Sequence, residues 1–146
     1  MANTWIVAAD SSRARVLQVA GRERLVEVED MINPGGRMDD RELTTDAHAR
    51  FRGSSGPASD REETSAHEHE TDLFAKRIGD YLDKARTQHR YDELVVVAPP
   101  KFLGLLRKKL GKEVEKLVVD EVPKDLSWFN ARELERYFVK GSEQGP

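Results

Sequence analysis

The stretch "ELVVVA" at residues 93–98 constrains the fold of this chain more than any other segment. It is a continuous apolar run rich in β-branched residues, and a strand of this kind is usually buried on both faces. Such strands are typical of the parallel part of a sheet, which needs a covering layer on each side. A chain of 146 residues is long enough to supply both layers within one domain.

Three further strand-like segments precede this run. They are "TWIVAA" at residues 4–9, "ARVLQVA" at 14–20 and "LVEVEDM" at 25–31, with "DSSR" and "GRER" between them. Because Asp, Ser and Gly favour tight turns, the pattern predicts three strands in an antiparallel meander.

Residues 32–64 show no sustained helical or strand period. A polar stretch of this length is uncommon inside a compact domain and indicates either a functional loop or disorder. We interpret it as a mobile contact loop, and we predict that residues 51–64 are poorly ordered in the free protein.

A helix is predicted from about Ser65, which can cap it, with Glu68 three residues later completing a capping-box pattern. Apolar residues then recur at helical spacing on one face: Phe74, Ile78, Tyr81, Leu82 and Ala85. The helix is expected to end near His89.

The last third of the chain predicts a helix, a strand and another helix. In "PPKFLGLLRKKLG" the prolines start the helix and Gly111 stops it, and the inward residues are Phe102, Leu103, Leu106 and Leu110. The run "VEKLVVDEV" at residues 114–122 predicts a strand. The last helix is predicted in "PKDLSWFNARELERYFV", with Asp125 or Ser127 as its cap and an apolar side of Trp128, Ala131, Leu134 and Phe138.

This order of elements, βββαβαβα, predicts a single α/β domain over residues 1–140. A meander that continues into right-handed crossover units gives a mixed five-stranded sheet with flanking helices, as in ribonuclease H-like folds. Residues 141–146 are predicted to form a flexible tail.

Composition excludes several classes of function. The chain has no cysteine, so disulfides, thiolate metal sites and a cysteine nucleophile are excluded. Its net charge of −3 lacks the basic excess of a general nucleic-acid binder. Because the amino terminus has no secretion-signal pattern and no apolar run approaches the roughly 20 residues that span a bilayer, we expect a cytoplasmic protein. Homo-oligomerisation is left open.

Asp10 and the first predicted helix suggest a two-metal nuclease, because such enzymes gather carboxylates from the first strand, the first helix and the fourth strand. Asp10 follows the first strand, and Glu68 or Glu70 opens the helix. The fourth strand, however, ends in "VVAPPK", where a carboxylate would be required. A turn-capping role for Asp10 is therefore the preferred interpretation.

The sequence "HEHE" suggests a metal site through His67 and His69. On a helix, residues two positions apart do not face each other, and we place these histidines in a first helical turn. The preferred interpretation is a solvated helix start, where the helix dipole stabilises the carboxylates. No metal or cofactor is expected. The serines of "RGSSG" do not form a nucleophile elbow, and the glycine pairs lack the signature of a phosphate loop.

A basic cluster is the main candidate for binding. Lys101 lies at a predicted helix amino terminus, where an anion could be accepted. The helix then ends in "RKKLGK", which contributes Arg107, Lys108, Lys109 and Lys112. Two interpretations remain: complementation of the helix dipole on a solvated face, or contacts to RNA phosphates. Three loop residues complete the candidate set: Arg52, Ser54 and Ser55.

Four segments together resemble the bacterial host-attachment protein family over roughly residues 2–138. They are "WIVAADSSRARVLQV", "HETDLFAKRIGDYLDKA", "LVVVAPPKFLGLLRKKL" and "VPKDLSWFNARELERYF". The family is similar to the middle domain of archaeal and eukaryotic peptide-chain release factors, where a loop at the position of residues 32–64 carries Gly-Gly-Gln. This chain reads "GGRM" and "FRGSSGP" there and contains no Gly-Gly-Gln, so the resemblance implies no catalytic residues.

Three hypotheses follow. The first is a non-enzymatic binding protein of the host-attachment family, whose part in attachment is either direct or indirect. The second is a ribosome- or RNA-associated module that uses the loop and the basic helix. The third, a metal-dependent hydrolase, depends on Asp10, Glu68 and Glu70.

Overall fold

A computed structural model of the chain describes residues 3–21, 24–34 and 57–140. The amino-terminal elements are β1 (Thr4–Ala9), β2 (Arg13–Ala20), β3 (Arg24–Ile32) and α1 (Pro57–Thr87). They are followed by β4 (Glu93–Val97), α2 (Pro100–Lys109), α3 (Lys112–Glu115) and β5 (Val118–Val122). The last helix is α4 (Ala131–Glu135), which continues into a π-helical turn (Arg136–Lys140).

The five strands form one mixed sheet in the order β3–β2–β1–β4–β5. β2 pairs antiparallel with both β1 and β3, which confirms the predicted meander. β4 lies between β1 and β5 and is parallel to both. Leu94, Val96 and Val97 of β4 are buried, because helices or the carboxy-terminal segment cover both faces of the sheet there. The predicted α/β class with a mixed five-stranded sheet is therefore confirmed.

One face of the sheet packs against α1, α2 and α3. The strands contribute Trp5, Val7, Val16, Leu94 and Val96 to this core, and the helices contribute Phe74, Ile78, Leu82, Phe102, Leu106 and Val114. Gly79 of α1 faces α2 so closely that a Cβ atom there would lie 2.7 Å from the carbonyl oxygen of Lys109. The buried faces predicted for the first two helices are thus confirmed.

The opposite face of the sheet is covered by the carboxy-terminal segment. Its core consists of Ile6, Ala8, Leu17, Leu25 and Val97 from the strands and of Leu126 and Leu134 from the segment after β5. The backbone N–H of Leu25 also donates to Oε2 of Glu135, at 2.9 Å. The sheet is therefore the middle layer of three, and its second covering layer comes from one short carboxy-terminal stretch.

The start of α1 differs from the prediction. The helix begins at Pro57, so Ser65 lies inside it and the predicted Ser65–Glu68 cap is wrong. A proline suits a helix start because the first helical N–H needs no partner, and the residues between Pro57 and Phe74 are mostly polar. The helix therefore lacks an apolar signal over its first turns. Residues 35–56 of the predicted loop lie outside the described residues, and residues 57–64 are helical.

Two boundaries in the last third also differ. Residues predicted to open the fifth strand instead form α3, where Val114 is fully buried, and the strand begins at Val118. The last helix is capped by Asn130 and not by Asp125 or Ser127. Oδ1 of Asn130 accepts from the N–H of Glu133 at 2.8 Å, and Oε1 of Glu133 accepts from the N–H of Asn130 at 2.9 Å. The predicted tail at residues 141–146 lies outside the described residues.

Candidate functional site

Asp10 closes the turn between β1 and β2. Its Oδ1 accepts hydrogen bonds from the N–H of Ser12 at 2.8 Å, the hydroxyl of Ser12 at 2.9 Å and the N–H of Arg13 at 2.8 Å. A carboxylate that accepts from the backbone two and three residues later is an Asx-type turn cap. The preferred interpretation of Asp10 is therefore confirmed.

The second oxygen of Asp10 holds the carboxy-terminal segment. Oδ2 accepts from the indole Nε1 of Trp128 at 2.8 Å. The hydroxyl oxygen of Ser127 lies 3.0 Å from the same Oδ2 and 3.0 Å from Oδ1 of Asp125, and its single proton serves one of the two carboxylates at a time. Five donor groups thus surround Asp10, whereas a carboxylate offers about four lone-pair sites.

Two arginines extend this arrangement along β2. The guanidinium of Arg13 donates to both carboxylate oxygens of Asp30, at 3.0 and 2.7 Å, and lies 4.8 Å from the centre of the Trp128 ring. The hydrogen bond to Asp30 raises the pKa of Arg13, so the cation is kept. A cation over an indole face is attractive, which helps to hold Trp128 in place although 44% of its surface is exposed.

Arg15 is the buried member of the same group. The residue is 4% exposed, and its Nη1 donates to the carbonyl oxygen of Phe129 and, at 3.5 Å, to that of Ser127. Its Nε donates to Oε1 of Glu27 at 3.1 Å. We call Asp10, Arg13, Arg15, Ser127 and Trp128 the Asp10 cluster. Sequence reasoning missed it, although "DSSRAR" and "DLSW" are parts of the segments that carried the family resemblance.

The structure does not bring the weak metal candidates together. His67, His69 and Glu70 lie well inside α1 and not in its first turn, because the helix begins at Pro57. Throughout the described ranges, no three His, Asp or Glu side chains lie in an arrangement that could hold a metal ion.

Two of the predicted binding residues are engaged in ion pairs. Nε and Nη2 of Arg107 donate to the two carboxylate oxygens of Glu121, at 3.2 and 2.5 Å, and these bonds raise the pKa of Arg107. Nζ of Lys109 lies 2.9 Å from Oδ1 of Asp72, which ties the end of α2 to α1. Both cations are thereby partly neutralised within the protein.

The other three lysines of the basic cluster remain available. The side chains of Lys101, Lys108 and Lys112 form no ion pair with the described part of the chain, and Lys101 and Lys108 are exposed on α2. Gly104 lies between them, and a Cβ atom built there would meet nothing within 4 Å. The loop candidates Arg52, Ser54 and Ser55 lie outside the described residues.

Among residues 3–21, 24–34 and 57–140, none of the helices combines the length and the apolar character needed to cross a bilayer.

The fold belongs to a class that includes a known translation factor. The crystal structure of the archaeal translation termination factor aRF1 superimposes on this chain with a TM-score of 0.51 and 12% sequence identity. The match covers 97% of this chain and 39% of that one. At this identity the likeness shows a shared fold and nothing more, and it is consistent with the resemblance to release factors found in the sequence.

The family follows from the sequence match. Residues 5–138 match the family described as "protein required for attachment to host cells", and the chain belongs to that family. An uncharacterized protein of Rickettsia prowazekii (strain Madrid E) is 38% identical over an alignment of 64 residues, and the match covers 42% of this chain and 43% of that protein. The match therefore spans less than half of that relative's length. The family resemblance seen in the sequence is confirmed.

Proposed function

We propose that this protein acts by binding a partner and does not catalyse a reaction. The observation that carries the proposal is the state of Asp10, the carboxylate from which metal-dependent chemistry would start. Its oxygens accept from four donors, and from a fifth whenever the Ser127 proton points to Asp10, so at most one lone pair of Oδ2 is left for a metal ion or a substrate proton.

The surroundings of Asp10 support the same conclusion. β4 ends beside β1 and is followed by Ala98, Pro99 and Pro100, which provide no carboxylate. Ser127 is fully buried, and its hydroxyl is shared between Asp10 and Asp125. A nucleophile needs an adjacent base and access to substrate, and this serine has carboxylates beside it but no exposure. These side chains serve to join the carboxy-terminal segment to the sheet.

The link to attachment is proposed to be indirect. Members of the family are described as required for attachment to host cells, and a binding protein can meet that requirement through the partner that it engages inside the bacterium. A cytoplasmic location is part of this proposal. Cell fractionation tests it: recovery of the native protein on the outer surface would overturn the indirect role.

The main test has two arms on the full-length protein. In the first, tagged protein is purified gently from its own cells, and a partner is expected to copurify in stoichiometric amount and to rebind after separation. In the second, hydrolysis of phosphodiester and ester substrates is measured with Mg²⁺ or Mn²⁺. Metal-dependent turnover that is lost in folded Asp10→Asn protein would overturn the proposal.

A further inference from the structure

We infer that the exposed face of α2, together with the first residue of α3, binds RNA through its phosphates. The surface consists of Lys101, Gly104, Lys108 and Lys112, and we call it the lysine row. The inference rests on the proposed binding function and names the chemistry of the partner.

The geometry of α2 places these residues on one side. Lys101 and Lys108 are seven residues apart, which is almost two full helical turns, so their side chains project in nearly the same direction about 10 Å apart along the axis. The open space at Gly104 leaves the helix backbone approachable between the two ammonium groups. Lys112 is exposed at the first position of α3 and is separated from the end of α2 by Leu110 and Gly111, which are extended.

The charges around the row favour an anionic partner. The α2 sequence, "PKFLGLLRKK", contains no acidic residue. Arg107 and Lys109 flank Lys108 on the helix, and each holds a carboxylate from a neighbouring element, Glu121 and Asp72. Because these carboxylates are already paired, they do not compensate Lys108. Of the two carboxylates of α3, Glu113 pairs with Lys116 at 3.3 Å and Glu115 acts on Arg107. The positive charge available to an external ligand is therefore greatest at Lys101 and Lys108, although the chain as a whole is acidic.

The same helix argues against a membrane surface as the partner. Stable binding of a peripheral helix to a bilayer combines insertion of an apolar face with attraction to anionic lipids. The large apolar residues of α2, Phe102, Leu103 and Leu106, are buried in the protein core and cannot insert. A lysine ammonium is a point charge without the planar fork of arginine, and it suits phosphate contacts that do not read the base. The expected ligand is therefore RNA, bound with little dependence on its sequence.

The test is fluorescence anisotropy of a labelled 20-nucleotide single-stranded RNA with the full-length protein between 25 and 200 mM salt. Each phosphate contact contributes about −0.7 to the slope of log K against log salt, so three lysines predict a slope of about −2. Replacement of Lys101, Lys108 and Lys112 by alanine should weaken binding at least tenfold at 25 mM salt and flatten the slope. Their exposure makes a change in melting temperature unexpected, and circular dichroism checks this.

The matched control is Lys84→Ala, which removes an exposed lysine of α1 outside the row, compared with Lys108→Ala. Only Lys108→Ala should reduce the salt slope. The inference is overturned if the triple variant binds RNA as tightly as the wild type, if the wild type does not bind at 25 mM salt, or if the row binds phosphatidylserine vesicles in place of RNA. In each of these cases the proposed role as a binding protein still holds if a native partner copurifies. Metal-dependent turnover, by contrast, would overturn that role as well.

Discussion

The indole Nε1 of Trp128 donates a 2.8 Å hydrogen bond to Oδ2 of Asp10, across 118 positions of the sequence. The two residues belong to the two ends of the domain, and their contact joins the β1–β2 turn to the segment that covers the second face of the sheet. The same carboxylate caps the turn through its other oxygen. Asp10 therefore couples a local turn to the assembly of a whole covering layer.

Replacement of Asp10 by asparagine should destabilise the fold. The amide keeps one acceptor for the turn but presents an N–H group to the indole N–H of Trp128, so this charge-assisted hydrogen bond is lost, while the hydroxyl of Ser127 keeps Asp125 as its acceptor. The cost of such a loss is about 1–3 kcal/mol. Urea unfolding followed by circular dichroism measures it. The control is Asp80→Asn, which removes only an exposed i,i+4 pair with Lys76 and should cost less than about 0.5 kcal/mol. Equal effects at the two positions would contradict the coupling role of Asp10.

Alanine at Gly79 and alanine at Gly104 should have opposite effects. Both glycines lie inside helices, where alanine is favoured by about 1 kcal/mol. At Gly79 the new methyl would lie 2.7 Å from the backbone oxygen of Lys109, so α1 and α2 must separate, and we expect a net loss of about 1–3 kcal/mol. At Gly104 the new methyl would meet no neighbouring element within 4 Å, so Gly104→Ala should raise the melting temperature. Calorimetry of the two variants decides between these signs.

His89→Gly should stabilise the protein. His89 follows α1 and has a φ of 58°, a left-handed conformation that costs a side-chain-bearing residue roughly 1 kcal/mol. Glycine adopts it without that penalty, although it adds entropy to the unfolded chain, so a net gain of about 0.5 kcal/mol is expected. His89→Val should lower stability, since a β-branched residue tolerates positive φ poorly. An increase in the unfolding midpoint of the valine variant would contradict the cost assigned to positive φ at this position.

Arg15→Met should loosen the carboxy-terminal layer. The substitution keeps the apolar stem but removes the donors to the carbonyl oxygens of Phe129 and Ser127, which then stay buried and unsatisfied. A loss of about 2–4 kcal/mol is expected. Amide hydrogen exchange should accelerate first at Leu134 and its neighbours, while the helices on the other face stay protected. Arg86→Met, at an exposed i,i+3 pair, serves as the control.

Tyr91 should make stability fall at high pH. Burial raises the pKa of its hydroxyl to about 12, and that hydroxyl donates to the carbonyl oxygen of Leu82 at 2.7 Å. The neutral form is favoured in the folded state. The unfolded tyrosine ionises near pH 10, so this contribution is complete below pH 10 and is lost between pH 10 and about 12.

The Tyr91→Phe variant separates the contribution of Tyr91 to the pH dependence of stability from that of the lysines, which titrate in the same pH range. It should cost about 1 kcal/mol at neutral pH through the lost hydrogen bond, and its stability should depend less steeply on pH above 10 than that of the wild type. Parallel pH profiles for the two proteins would contradict the assignment.

Local pattern was sufficient to predict much of this fold. The β-branched run around Val96, the alternation in the first three strands and the helical spacing from Phe74 onwards each concern neighbouring residues. The predicted helix and strand boundaries were wrong where the apolar periodicity is weak. The first turns of α1 are polar, and Val114 is buried by tertiary contacts although its neighbours are charged.

Competition between caps shows the same limit. Asp125, Ser127 and Asn130 are all good helix caps by residue type, and local preference does not choose among them. In the folded protein Asp125 and Ser127 are engaged next to Asp10, and Asn130 caps the helix. Likewise, "RKKLGK" is one basic run in the sequence, but only the fold shows that Arg107 and Lys109 are paired and that the lysine row forms no ion pair with the described part of the chain.

The sequence by itself determined the α/β class, the three-strand meander and the buried parallel strand, because each depends on periodicity and composition over short stretches. It also carried the family resemblance, which rests on four matching segments. Only the tertiary structure decided that the second oxygen of Asp10 is engaged by residues from the other end of the domain, and which lysines form no ion pair within the described residues. Those properties depend on distances between segments far apart in the chain, and such distances exist only once the sheet and its two covering layers have packed together.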